Sequence, residues 1–115
     1  MLPDLRDPAY LWDMLDAATS IKQFTEGATF REYADNKMIR SAVERQLEIL
    51  GEAARRVSQG FKDAHPEVSW RQIVGLRNLL AHEYGDIQHE RVWQIATKSI
   101  PTLIDQIRPL LPPRA

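Results

Sequence analysis

The stretch RNLLAHEYGDIQHE, residues 77–90, gathers two of the chain's three histidines, three acids and a tyrosine. Three kinds of chemistry are compatible with those residue types. His82, Glu83, Asp86, His89 and Glu90 carry metal-ligating atoms, and His82-Glu83 opens like the H-E-x-x-H metalloprotease pattern. Position 86 holds Asp where that pattern needs its second histidine, and zinc catalysis wants a third protein ligand as well. The expectation is therefore no metal and no cofactor. A plain structural reading makes Asp86 a helix cap, Glu83 and Glu90 solvated surface, and His82 a histidine hydrogen-bonded near the core. The third reading takes Arg77, His82 and Tyr84 as a unit for phosphodiester cleavage. Histidine, with an unperturbed pKa of about 6.5, can take the proton of a ribose 2′-hydroxyl or give one to a departing 5′-oxygen. Arginine offers permanent charge in a fork that matches phosphorane oxygens. Such a site must act on RNA, because DNA lacks the 2′-hydroxyl nucleophile.

These residues can act together only if the helices around them converge. At about 100° per residue, Arg77 and Tyr84 share one side of a continuous helix, whereas His82 falls about 140° from Arg77. A helix ending near Glu83 to Gly85 would let His82 and Tyr84 fold back beside Arg77.

Everything periodic in the chain has a helical period. Asp7 as cap and Pro8 at the first helical position start a helix whose face is Leu11, Met14, Leu15, Ala18 and Ile21, running to Gly27. Thr29 and Glu32 form a capping box, with a break near Asp35 and Asn36. Ile39, Val43, Leu47, Leu50, Ala54 and Val57 then mark a long helix with Gly60 as its stop. His65-Pro66 interrupts the next stretch. Ser69 with Gln72 suggests a second capping box, opening a helix through Ile73, Leu76 and Leu80 that ends at Gly85. Asp86 caps the last helix, whose stripe is Val92, Trp93, Ala96, Ile100, Leu103, Ile104 and Ile107, kinked but not ended by Pro101. The expected fold is all-α, an antiparallel bundle of four main helices with a short extra one, forming a single domain over residues 1–115 with a frayed tail at 112–115.

Bulk properties agree with a compact fold. The 115 residues are 43% hydrophobic and 27% charged, enough to build one core. A net charge of −1 excludes a strongly basic nucleic-acid binder, so RNA contact needs a local patch. The absence of cysteine removes disulfides, thiolate nucleophiles and thiolate zinc sites together. The start, MLPDLRDPAY, is charged too early for a signal peptide, and no apolar run approaches the roughly 18 residues of a membrane span. The expectation is a cytoplasmic protein without membrane contact.

Other polar features have plain readings. Arg40, Glu44, Glu48, Glu52 and Arg56 step by four along one helix as a solvated face, from which Glu48 or Glu52 could instead orient Arg77 or His82. Gly51 and Gly75 interrupt helical pattern at about 1 kcal/mol each, as close helix crossings would require. Trp12, Trp70 and Trp93 fall on or near apolar stripes as core or dimer contacts rather than base-stacking platforms.

RNLLAHEY fits the R-x-x-x-x-H-x-Y signature of the HEPN superfamily at Arg77, His82 and Tyr84, with Asn78 in the polar position after the arginine. Together with RDPAYLWDMLDAATSIKQF, LEILGEAARRVS, HPEVSWRQIVGLRNLLAHEYGDI and the VW…IPTLIDQI ending, in that order, the chain resembles the HepT family of ribonuclease toxins along nearly its whole length. The resemblance implies the all-α HEPN fold and a homodimer whose signature segments face each other. It also implies metal-independent endoribonuclease activity on RNA, tRNA included, with Arg77 and His82 catalytic and Asn78 and Tyr84 positioning the RNA. Its implied partner is a MntA-type minimal nucleotidyltransferase antitoxin that transfers AMP to Tyr84, as in a type VII-like toxin-antitoxin system. Glu83 sets an acid beside His82, which would raise the histidine's pKa and repel phosphate. A catalytically idle helical module that binds a nucleotidyltransferase is the alternative.

Overall fold

A computed structural model describes residues 6–82 and 86–113; of residues 82, 86 and 87 only the backbone is described. The described elements are α1 (Asp7–Thr25), α2 (Phe30–Asp35), α3 (Lys37–Arg56), α4 (Gln59–Ala64), α5 (Trp70–Val74), α6 (Leu76–His82), α7 (Asp86–Gln94) and α8 (Ile100–Ile107). A π-helical turn (Ile95–Ser99) joins α7 to α8, and a 3-10 turn (Arg108–Leu110) follows α8. No strand occurs among the described residues, and the all-α expectation holds. No helix among them is long and apolar enough to cross a membrane.

The core forms where the apolar periodicity said it would. Leu11, Met14, Ala18 and Ile21 on α1 meet Val43, Leu47, Leu50 and Ala54 on α3, and α1 also packs against α8 through Ile100, Leu103, Ile104 and Ile107. Spacing by three and four residues puts these side chains on one face of each helix, and burying each large one contributes roughly 1.5–3 kcal/mol. Gly27, at φ +78°, takes the left-handed conformation just beyond α1, which a side chain would resist.

The caps divide into confirmed and corrected. The Thr29–Glu32 capping box is present, with the Glu32 amide donating to Thr29 Oγ1 at 3.1 Å and the Thr29 amide to Glu32 Oε1 at 3.0 Å. Asn36 accepts from the Ile39 amide and starts α3. Asp7, expected as the cap of the first helix, instead lies inside α1, buried, and accepts from the Ser58 amide at 2.9 Å and the Ser58 hydroxyl at 2.6 Å. Ser58 also caps α4, accepting from the Phe61 amide. One serine thereby ties the end of α3 to the start of α1, so α3 stops at Arg56 and Gly60 lies inside α4 rather than ending the long helix. Asp7→Ala is expected to lower stability by about 2 kcal/mol, since two hydrogen bonds to a buried carboxylate are lost. A denaturant midpoint equal to wild type would contradict this assignment.

The Ser69–Gln72 capping box does not form. Ser69 precedes α5 with ψ 64° and makes no side-chain cap bond, and the start of α5 is held instead by Trp70. Its buried indole donates Nε1–H to the His65 carbonyl at 2.9 Å, while Phe61 packs edge-on to it at 6.1 Å. Trp93 packs against Tyr33 at 5.3 Å and Phe30 at 6.2 Å, joining α2 to α7. Trp70 and Trp93 thus serve packing within the chain. Pro101 does not end the last helix. Lacking an N–H, it cannot bond the carbonyl four residues back, and the preceding backbone widens so that the Ile100 amide donates to Ile95. Pro112 and Pro113 follow the last turn without regular structure, and residues 114–115 lie outside the described ones.

Candidate active site

The signature helix is held by a close approach between backbones. Gly51, buried in α3, lies so near α5 that an added Cβ would meet the Ile73 carbonyl oxygen at 3.0 Å. Glycine therefore occupies the crossing, and α3 packs against both α5 and α6. Gly75 sits at the junction of these two short helices in near-helical conformation (φ −75°, ψ −6°). The Leu79 amide still donates to the Gly75 carbonyl, so α6 continues the path of α5.

On α6, Leu76 is buried while Arg77 and Asn78 are exposed. No hydrogen bond or ion pair joins Arg77 to another described residue. His82 is the final residue of α6, so its backbone position stays about 140° around the helix from Arg77. The expected fold-back therefore does not begin before His82. The side chain of His82, and Glu83, Tyr84 and Gly85 altogether, lie outside the described residues, as does the expected stop at Gly85. Helix α7 is described from Asp86 onward, and the side chain expected to cap it lies outside the described ones. Among the residues weighed as metal ligands, His89 is half-buried and Glu90 exposed. No group of three metal-ligating side chains occurs among the described residues.

A groove of about 840 Å³ runs beside this helix, between α5–α6 and the α7–α8 arm. Leu76 and Leu79 contribute apolar wall and Asn78 a polar edge, while Arg91 and Lys98 stand on the opposite side. The π-helical turn adds Ile95 and Ser99 to the lining. Asn78, Arg91 and Lys98 are the polar and charged side chains that this otherwise largely apolar groove offers next to α6.

Glu48 and Glu52 are both engaged on α3 itself. Glu48 pairs with Arg45 at 3.4 Å. Glu52 takes bonds from Arg55 at 2.8 and 3.2 Å and from Arg56 at 3.0 Å. The Arg55 bonds first, and then those of Arg56, lower its carboxyl to about 2. Neither carboxylate bonds to Arg77 among the described residues.

Glu44, one turn earlier, is the member of that stripe that reaches across the bundle. Its Oε1 accepts from Gln88 Nε2 at 3.3 Å, and the same Nε2 donates to the Leu80 carbonyl at 3.3 Å. Glu44 also faces the buried Tyr33 hydroxyl, which has no hydrogen-bond partner among the described residues. Burial, and then the Glu44 charge, push that phenol above its ordinary range, while Arg40 pulls the other way. Sequence reasoning missed Gln88, although a signal was present: it lies one turn before Val92 on the buried stripe, where a polar side chain must find partners.

A family model described as Ribonuclease HepT-like matches residues 14–110, which include α6 and the start of α7. A protein of Methanocaldococcus jannaschii named a putative RNase is 39% identical over 99 residues, covering 86% of this chain and 91% of its own. A second from that organism, likewise named a putative RNase, is 34% identical, covering 90% and 85%. A protein of Thermococcus cleftensis named a probable ribonuclease HepT is 35% identical, covering 82% and 86%. No solved structure gives a significant match. An all-α bundle that presents Arg77, Asn78 and His82 on one short helix, matched by this family model over most of its length, belongs to the HepT-like ribonuclease family of the HEPN superfamily.

Proposed function

We propose that this chain is the toxin of a toxin-antitoxin pair and cleaves RNA without a metal ion. The observation that carries the reading is the arrangement on α6, where Arg77 is exposed, Asn78 opens onto the groove, and His82 closes the same helix. In the proposed reaction a ribose 2′-oxygen attacks the adjacent phosphorus, and the bond to the 5′-oxygen of the next nucleotide breaks. A 2′,3′-cyclic phosphate and a free 5′-hydroxyl result. Arg77 binds the phosphate oxygens as charge builds on them, and Asn78 donates a hydrogen bond that orients the strand. His82 handles the proton: as base it takes one from the 2′-oxygen, as acid it gives one to the 5′-oxygen.

One histidine cannot readily serve as both base and acid in a single displacement. Two copies of the chain, related by a twofold axis, would supply two copies of His82 and divide the roles. The largely apolar groove beside α6, bordered by Arg91 and Lys98, supports a pairing that sets two signature helices along one cleft. The antitoxin in this reading is a MntA-type nucleotidyltransferase that transfers AMP to Tyr84. Adding a bulky anion two residues from His82 would repel the phosphate backbone and block the cleft. tRNA stands among the substrates to test.

The experiment is incubation of the purified, unmodified protein with total RNA and with tRNA in excess chelator. Fragments ending in 2′,3′-cyclic phosphate are expected. Intact RNA in the presence of a folded dimer would move the assignment to a module that only binds a nucleotidyltransferase.

A further inference from the structure

We infer that Gln88 is a positioning residue: its side-chain amide clamps the end of the signature helix to α3 and so fixes where His82 stands. The inference rests on the ribonuclease reading above for its catalytic consequence, but the clamp itself is a matter of geometry.

A helix ends with four carbonyls that have no partner in its own ladder. Leu80 lies in the last described turn of α6 (Leu76–His82), where such carbonyls are found. Gln88, in the first turns of the following helix, donates to this carbonyl from Nε2 at 3.3 Å. The second hydrogen of the same nitrogen goes to Glu44 Oε1, also at 3.3 Å, on a helix 44 positions away in sequence. Both acceptors are oxygens without a proton to offer, so the amide can face them only with its nitrogen, and its orientation is determined. The side chain is 8% exposed, so water does not readily replace either bond. An apolar residue would fill the same stripe position beside Val92 at no desolvation cost. The glutamine is explained by what it joins: the charged face of α3, the end of α6 and the start of α7 in a single three-way contact, made at a carbonyl two residues before His82.

Removing such a clamp should loosen the orientation of the histidine without touching the phosphate-binding groups. The test compares wild type with Gln88→Leu, which keeps the bulk and loses both donors, and with Gln88→Lys, whose ammonium can donate to both oxygens. Turnover and KM on RNA are measured together with amide hydrogen exchange across residues 79–82 and the thermal melting point. Gln88→Leu is expected to lower kcat roughly tenfold, the size typical of losing a supporting hydrogen bond around a reactive group. KM should stay within about twofold of wild type, because Arg77 and Asn78 are untouched. Exchange over residues 79–82 should quicken, and Gln88→Lys should recover both kcat and protection.

Unchanged kcat and unchanged exchange in a folded Gln88→Leu protein would overturn the clamp. So would equal losses in the Leu and Lys variants accompanied by a general fall in melting temperature, which would make Gln88 a packing residue only. If wild type cuts no RNA at all, the ribonuclease reading fails on its own, and the exchange comparison still decides whether Gln88 holds the end of α6.

Discussion

His82→Ala is expected to reduce RNA cleavage by roughly a thousandfold, within the range that positioned acid-base groups contribute. The protein should still fold, because the large buried side chains of the core lie on other residues, chiefly of α1, α3 and α8. In a dimer that divides the proton transfers, alanine removes the base and the acid together, so little residual activity should survive. Arg77→Ala should cost less, roughly a hundredfold, since it removes charge stabilisation but leaves both proton transfers in place. The two variants therefore separate proton transfer from phosphate binding. Cleavage rates on tRNA in chelator, read beside circular-dichroism melts, make the comparison. Full activity in a folded His82→Ala protein would end the catalytic assignment. Equal activity of wild type and Arg77→Ala would leave the histidine but remove the phosphate role proposed for the arginine.

Gly51→Val is expected to destabilise the fold by roughly 2–3 kcal/mol, the upper part of the range for overpacked cores. Even a single Cβ at this position would lie 3.0 Å from the Ile73 carbonyl oxygen, and that neighbour is backbone, so it cannot rotate away. The two branches of valine deepen the clash, and α5 would have to retreat from α3. Since α5 leads directly into α6, the displacement carries Arg77 and Asn78 with it. Melting temperature should fall by about 10 °C for a domain of this size, and cleavage by the surviving folded fraction should drop as well. Gly51→Ala offers a graded control: gaining up to about 1 kcal/mol of helix propensity, it offsets part of a smaller clash. A Gly51→Val protein that melts with wild type would mean that the crossing has room to spare.

Much of this molecule could be read before any coordinates. Helices α1 and α3 follow from the three-and-four spacing of Leu11, Met14, Ala18 and Ile21 and of Val43, Leu47, Leu50 and Ala54, because that spacing is itself the geometry of a helix face. The Thr29–Glu32 box was legible because its two partners are three residues apart and satisfy each other locally. The same rule failed at Ser69 and Gln72, where the Trp70 indole bonded to His65 holds the start of α5 instead. Residue types alone also marked Arg77, His82 and Tyr84, since arginine supplies fixed positive charge and histidine a proton that moves near neutral pH; Asn78 was marked only by the resemblance to the HEPN signature.

What the sequence by itself determined, then, was the helical class, the main buried stripes and the identity of the candidate reactive groups, all of which depend on neighbours within about one or two turns. Only the tertiary structure decided that Asp7 binds Ser58, 51 positions away, rather than capping its own helix, and that α3 therefore ends at Arg56. It also decided that Glu44 meets Gln88 at the end of α6, while Glu48 and Glu52 meet arginines of their own helix. On a helix the three acids are equivalent by spacing, each four residues from the next. They differ only in what the rest of the bundle brings opposite them: arginines of the same helix for two, and a buried amide from α7 for the third. Such pairings depend on how helices cross, which is set by the packing of whole faces and by the one glycine at Gly51 that lets two backbones meet.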